Sequence, residues 1–354
     1  MAWTAAPTSK PFGWTLRIYD AVPAAAGWTG AMLALALYSV FLVVEAGLGR
    51  TPIRLEGGLL DHSGEALITL LLCAVLAYLC TATVSTVREA PRATRRVRDV
   101  LAGSDRELDA LEAEASVRPR HTLLLAGLLG AGVSLFFPFL EVGQEGWAPY
   151  DWRAWTPEST WHRILTPWIG WWTGRLVAVM LIDSRRHSSL ARRIKAIDLL
   201  DLRPLLPFAR LGLSNALRVV GIAALFSFLL IDVTRYGTMV LLLAGLTVAS
   251  ATTALLLPVR GVHLRIRAAK LEELERVNRA IRGDAEALRG SALAGRASTP
   301  SLADLVAYRD LVDSAREWPF DASTFRRFGL YLLIPIGSWM GGALVERLLD
   351  LLLE

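Results

Sequence analysis

The sequence predicts an all-α polytopic membrane bundle of about seven transmembrane helices, with a cytoplasmic helical hairpin. Three observations carry that expectation. Hydrophobic residues make up 53% of the 354 residues and the mean hydropathy is +0.41, which is too apolar for an ordinary soluble enzyme in a chain too long to be a single anchor. Several separate apolar runs approach the roughly 20 residues that a helix needs to cross hydrocarbon. The basic residues gather on alternate connections between those runs, as the positive-inside rule requires.

Residues 1–26 form a leader in which Trp3, Trp14 and the following Trp28 alternate with Lys10 and Arg17, a composition suited to a headgroup boundary. It has no basic region followed at once by an apolar core and a small-residue cleavage site, so the first apolar run is expected to remain as a span. A six-span bundle is expected over 27–257, with spans at about 27–47, 66–84, 121–141, 167–183, 213–232 and 236–257. The connection after the second span holds eight arginines between Arg88 and Arg120, five of them from Arg88 to Arg98. Its acidic second half places Leu108 and Leu111 at the spacing of a short packing helix. After the fourth span, Arg185 to Arg210 holds seven Lys or Arg and reads as a helix followed by an elbow at Pro204 and Pro207. The fifth and sixth spans form a tight hairpin tipped by Asp232 and Arg235.

A cytoplasmic helical hairpin is expected over 258–327, which carries thirteen Lys or Arg. Leu264, Leu271, Asn278 and Ala285 fall at one heptad position and Leu274, Ile281 and Leu288 at its partner, the pattern of a short coiled coil. A linker of Gly, Ala and Ser follows, and then a second amphipathic helix from Ser301 to Arg316 with Ser301 and Asp304 in capping-box positions. Residues 328–350 form the seventh span, in which Pro335 introduces a kink and Glu346, Arg347 and Asp350 mark the charged end.

By this topology 30 of the 38 basic residues are cytoplasmic. That asymmetry sets the N-terminus on the cytoplasmic side of the plasma (inner) membrane and the C-terminus outside. The orientation is opposite to that of rhodopsin-like receptors, and the seventh span has no lysine for a retinal Schiff base. Topology accounts for the net charge of +5, so no nucleic-acid partner is expected. The second and sixth spans both continue into basic helices, TVREAPRATRRVRDV and PVRGVHLRIRAAKLEEL; a shared exit toward the cytoplasm accounts for that echo better than an internal repeat.

Arg175 is the strongest single signal, because an arginine in mid-membrane on an isolated helix costs at least ~2.5 kcal/mol. It must face protein or water, either as an anion-site or gate residue or in a pair with Glu346, Asp183 or Asp232. Glu45, Glu141, Asp232 and Glu346 map to the outer ends of spans, where a bundle would gather them into a cation-concentrating vestibule. With Arg347 and Asp350 they complete the candidate pore and gating residues. Gly170 with Gly174 and Gly337 with Gly341 are GxxxG pairs for close helix approach, and Ala126, Gly130 and Ser134 form another small-residue face. Trp147, Trp152, Trp155, Trp161, Trp168, Trp171 and Trp172, seven of twelve tryptophans, suggest an aromatic belt at the outer face. Arg95, Arg96, Arg192, Arg193, Arg326 and Arg327 suit anionic headgroups at ~1 kcal/mol each, making membrane lipid an expected partner.

Enzyme signals are poor. The histidines His62, His121, His162, His187 and His263 all fall at or beyond span ends without metal-ligand spacing, and glycine-rich phosphate loops are missing. Cys73 and Cys80, seven apart on one helix face, read as packing residues. No catalytic residue, cofactor or metal is therefore expected. The expected function is a homo-oligomeric, channel-like or transport conduit for ions or small solutes, with the last span near the pore. The alternative is a non-conducting scaffold or signalling subunit whose coiled hairpin recruits a cytoplasmic protein through 262–316.

Overall fold

The computed structural model describes residues 13–22, 25–50, 53–56, 59–62, 64–135, 156–227, 233–289, 291, 293, 300–320 and 326–333. Its helices are α1 (Gly13–Ala21), α2 (Ala26–Gly47), α3 (Gly64–Arg96), α4 (Asp105–Ser116), α5 (Arg120–Leu135), α6 (Pro157–Leu190), α7 (Leu206–Ser227), α8 (Val233–Leu256), α9 (Arg260–Ile281) and α10 (Leu302–Ser314). A further helix covers 326–333. Among the described residues the only strands are those of a small antiparallel hairpin between α2 and α3, in which β1 (Ile53–Glu56) pairs with β2 (Leu59–His62) and Ile53 lies opposite His62. Helical periodicity gave no sign of it.

Among the described residues three helices are long and apolar enough to cross a membrane: Ala26–Gly47, Ala66–Arg96 and Arg203–Phe226. A fourth counts if Ala244–Leu256 and Arg260–Ile281, bent by 56°, are one span. That is fewer than the seven expected, and the reasons are local. α5 has 16 described residues. α6 is long enough at 34 residues, but Pro167, Arg163, Arg175 and its polar tryptophans dilute its apolar character. Most of 328–350, with Pro335, Gly337 and Gly341, lies outside the described residues.

α3 and α6 form the axis of the bundle. They run side by side in the same direction, because Thr69 Oγ1 and His162 Nε2 meet at 2.7 Å near the start of both and Leu101 pairs with Ile194 just beyond their ends. Both contacts have the same offset of 93 residues, so one register holds along the whole pair. Between them, Leu76, Thr83, Ala90 and Val97 are buried at seven-residue intervals, and so are their counterparts Ile169, Leu176, Asp183 and Leu190. This is the periodicity of a parallel two-helix seam.

The same shift superposes the chain order on itself. It carries α1 into α4 and α2 onto the span begun by α5, and it takes the 3₁₀ turn Arg98–Val100 onto the 3₁₀ turn Ala191–Arg193. Residues that are equivalent by this shift touch each other at Thr69 and His162 and at Leu101 and Ile194, so the two halves of this repeat of element order meet along α3 and α6. The structural repeat therefore relates the second and fourth expected spans, and the sequence echo between the second and sixth does not mark it.

Small residues let the second helix pair close. A Cβ on Gly130 would lie 2.1 Å from the Gly170 carbonyl oxygen, and one on Gly174 would lie 2.0 Å from that of Ala126. The Gly170–Gly174 pair is thus occupied inside the chain by the Ala126, Gly130 and Ser134 face of α5, and is not free to join subunits. Exposed Leu124, Leu125, Leu128, Leu129 and Val133 cover the opposite face of α5, as expected of a surface turned to lipid. Thr81, Thr83, Thr86 and Thr94 of α3 donate their hydroxyls to carbonyls four residues back, so these side chains enter an apolar bundle already satisfied.

Beyond the end of α3, α4 opens with a capping box between Ser104 and Glu107. The Ser104 backbone N–H holds the Glu107 carboxyl below the usual carboxylate range. α4 packs on the end of α3, with Glu112 paired to Arg95 and Asp105 to Arg98. Pro204 lies in a 3₁₀ turn and Pro207 in the first turn of α7, so the elbow is short and α7 starts several residues earlier than the expected fifth span.

α10 folds back on α9, capped by Ser301 and Asp304. The heptad expectation for α9 is corrected: Leu264 and Leu271 are exposed, whereas Val262, Ile266, Glu273 and Val277 are buried. A buried polar hub selects that face. Glu273 accepts from the Ser291 hydroxyl, from Tyr308 Oη at 3.0 Å and from Arg276 Nη1 at 3.2 Å. Burial, with the Glu273 carboxylate beside it, pushes the Tyr308 phenol up to about 12.

The α5–α6 contact gives a direct test. Gly174→Leu is expected to lower stability by about 1–3 kcal/mol through overpacking, read as a fall in the thermal midpoint of the purified protein in detergent. Gly132→Leu, where an added Cβ meets nothing within 4 Å, is expected to leave the midpoint near wild type. Equal effects would mean that α5 and α6 do not approach through this face.

Candidate functional site

Buried ionisable groups lie near both ends of the α3–α6 seam, with Arg175 of α6 between them. At the inner end Arg118, just before α5, donates from Nη2 to Asp183 Oδ2 on α6 at 2.7 Å, with side chains 0% and 2% exposed. One helical turn further, His187 is buried with its ring edge-on to Phe208. Asn215 of α7 reaches Ser184 Oγ at 3.4 Å and accepts from Arg218 Nη1 at 2.9 Å. Tyr78 of α3 donates to the Arg218 carbonyl at 3.1 Å. Arg186 closes the cluster from outside by donating to the carbonyls of Glu114 and Val117 at the end of α4.

Four elements thus meet around one desolvated ion pair. Arg118 Nε and Nη1, Asp183 Oδ1 and His187 Nε2 have no hydrogen-bond partner among the described residues. A buried pair with unused donors and acceptors is held at a cost in stability, since desolvation is repaid only when every polar atom is bonded. Ionisable groups at membrane depth mark functional sites by default for the same reason.

At the outer end, the Thr69 hydroxyl meets His162, and Glu45 lies beside the start of α3 because α2 runs antiparallel to it, with Gly30 against Thr81. Glu45 is 1% exposed. It lies inside the bundle, not on an open vestibule wall, because its face of α2 continues the packed line of Tyr38 and Phe41. Between the two ends Leu76, Leu79, Ile169 and Leu176 are buried, joined by Thr83, whose hydroxyl is bonded to its own helix, and by Arg175. From His162 to Asp183 the rise of an α-helix spans about 32 Å, the thickness of a hydrocarbon core.

Arg175 is buried on α6, with its guanidinium over the rings of Trp171 (5.4 Å) and Trp172 (5.2 Å). Asp183 is not its partner, because Arg118 engages that carboxylate. Trp161, Trp171 and Trp172 consequently pack within the bundle and do not form part of a belt; Trp171 fills the space left by Gly127, whose Cβ would fall 2.7 Å from the ring. Trp168 is exposed. Glu141, Asp232, Glu346, Arg347, Asp350, Gly337 and Gly341 lie outside the described residues, as do Trp147, Trp152 and Trp155.

Of the basic residues expected at headgroups, Arg95 and Arg96 pair with Glu112 and Glu89, while Arg192, Arg193, Arg326 and Arg327 are exposed. Cys73 and Cys80 are buried free thiols. Among the described residues no three His, Cys, Asp or Glu side chains converge as metal ligands would.

Arg118, Asn215 and Arg218 were not singled out from the sequence. The available signal was an Asn and an Arg three residues apart inside the apolar run of the fifth span, and an Arg-Pro step at the start of the third. No family model, curated protein or solved structure matches the chain.

Breaking the inner pair tests its desolvation. Asp183→Ala strands a buried guanidinium and is expected to cost about 3–5 kcal/mol, whereas Arg118→Met combined with Asp183→Leu recovers most of that loss. A thermal-unfolding double-mutant cycle in detergent checks both. A cost no larger than that of breaking the exposed Asp201–Arg203 pair would refute a desolvated cluster.

Proposed function

We propose that the chain is a membrane conduit for ions or small solutes in which the α3–α6 seam is the path and its apolar middle is the gate. The observation carrying this reading is the placement of a buried ion pair, Arg118 with Asp183, at one end of the seam and the half-buried Thr69–His162 contact at the other, a membrane thickness apart, with Leu76, Leu79, Ile169 and Leu176 between them. Hydrophobic constrictions close conduits by excluding water, and parallel internal repeats put such paths on the axis between them. Seven crossings, a cytoplasmic N-terminus in the plasma membrane and homo-oligomerisation through Gly337 and Gly341 belong to the same reading. The basic cytoplasmic connections support that orientation, and the internal use of Gly170 and Gly174 leaves the last span as the small-residue surface for subunits.

A second reading has its own support. Leu264 and Leu271 of α9 are 51% and 58% exposed, so the cytoplasmic hairpin keeps an apolar face on which a scaffold would seat a partner protein.

Flux separates the two. In sealed vesicles containing the purified protein, Leu176→Ser wets the closed layer and is expected to raise ion leak several-fold over wild type, while Leu128→Ser, on the lipid face, does not. Leak at the protein-free level in both variants would remove the conduit reading and leave the scaffold.

A further inference from the structure

A cavity of about 360 Å³ lies between the elbow preceding α7 and the chain that leaves α10. Its position is set by where the chain passes into the membrane. Arg203 begins one of the apolar spans, Arg203–Phe226, and helix 326–333, which starts with exposed Arg326 and Arg327, packs Phe328 into the same apolar cluster as Phe208 and Phe320. The positive-inside rule puts this level at the inner leaflet's headgroups.

The lining joins two chemistries. Leu206, Leu311 and Phe320 supply an apolar wall, and Arg203 and Arg316 supply two guanidinium groups against the single carboxylate of Asp201. Asp201 accepts from Arg203 Nε at 2.9 Å, and with the Arg203 side chain 85% exposed its terminal guanidinium nitrogens are open to solvent at the cavity's rim. Trp318 closes one side, stacked on His263 at 4.0 Å and flanked by Phe320 at 6.0 Å. His263 Nδ1 is tied to the Glu317 carbonyl at 3.0 Å, which fixes the aromatic wall. A volume of a few hundred Å³ with apolar walls and a few directed polar groups is that of a small-ligand site.

We propose that this cavity binds the headgroup of an anionic phospholipid of the inner leaflet, with Arg203 and Arg316 on the phosphate and Leu206, Leu311 and Phe320 against the glycerol and upper acyl carbons. The excess of one positive charge favours an anionic over a zwitterionic lipid, and guanidinium forks match phosphate oxygens. The N-terminus of α7 directs its dipole to the same place. The site ties the elbow and the hairpin to one lipid, so occupancy couples the cytoplasmic piece to the membrane surface.

The test uses the full chain, purified in detergent and mixed with phosphatidylglycerol or phosphatidylcholine, with retained lipid counted by native mass spectrometry. Wild type is expected to hold one phosphatidylglycerol at least tenfold more tightly than phosphatidylcholine. Arg203→Gln with Arg316→Gln is expected to lose that preference, and Leu311→Trp, which fills the cavity without changing its charge, to lose the lipid as well. Arg282→Gln with Arg289→Gln removes two exposed charges elsewhere and is expected to change nothing. Equal retention of the two lipids, or equal loss in the two arginine pairs, overturns the proposal. Binding of glycerol 3-phosphate as tight as that of phosphatidylglycerol assigns the cavity to a soluble phosphorylated ligand and also overturns it.

Discussion

Two long helices that meet in a single register from Thr69 and His162 to Leu101 and Ile194 constrain everything packed around them. Once α3 and α6 run parallel, each needs an antiparallel partner on its outer side, and α2 and α5 take those places. α7 then lies against α3 and brings α8 with it. Parallel neighbours require long returns, and α4 with its flanking turns forms part of one, pinned by Arg186 and by the short pairing of Leu101 with Ile194. The seam is held by shape in its middle and by polar bonds at its ends.

That division follows from solvation. In hydrocarbon the hydrophobic effect gives helices little reason to associate, so close backbone approach and directed hydrogen bonds decide the packing. α5 and α6 use the first through Gly130, Gly170 and Gly174. The inner end of the seam uses the second, where Arg118 and Asp183 hold α5 to α6 and Asn215 joins α7 to α6. Unused donors and acceptors in that cluster are a cost that packing alone does not require, and they are the strongest reason to place function there.

The helical class and the presence of helices apolar enough to cross a membrane were legible in the sequence, because hydrophobic run length reports directly on solvent, whereas only three to four of the seven expected spans are found among the described residues. The capping residues Ser301 and Asp304, the small face of α5 and the burial of Arg175 were readable for equally local reasons. What escaped depends on partners distant in sequence. Asp183 looked available to Arg175 because nothing near it in the chain shows that Arg118, 65 positions earlier, will arrive at its side. The repeat escaped because its halves share burial rather than identity: Thr83 answers to Leu176 and Ala90 to Asp183. On α9 the leucine heptad was a false guide, since a single buried carboxylate with partners on Ser291 and Tyr308 fixed which face turned inward.

The register of α3 against α6 is the claim on which the rest depends, and a cross-link tests it most directly. Opposed residues of an antiparallel bridge stand within disulfide reach, so Leu101→Cys with Ile194→Cys, in a chain whose Cys73 and Cys80 are serine, should form an intramolecular disulfide on mild oxidation in native membranes. The account predicts efficient bridging at 101 and 194 and little when the second cysteine is moved to position 197. Failure at the first pair, or equal bridging at both, would contradict the single register and with it the meeting of the two repeats along α3 and α6.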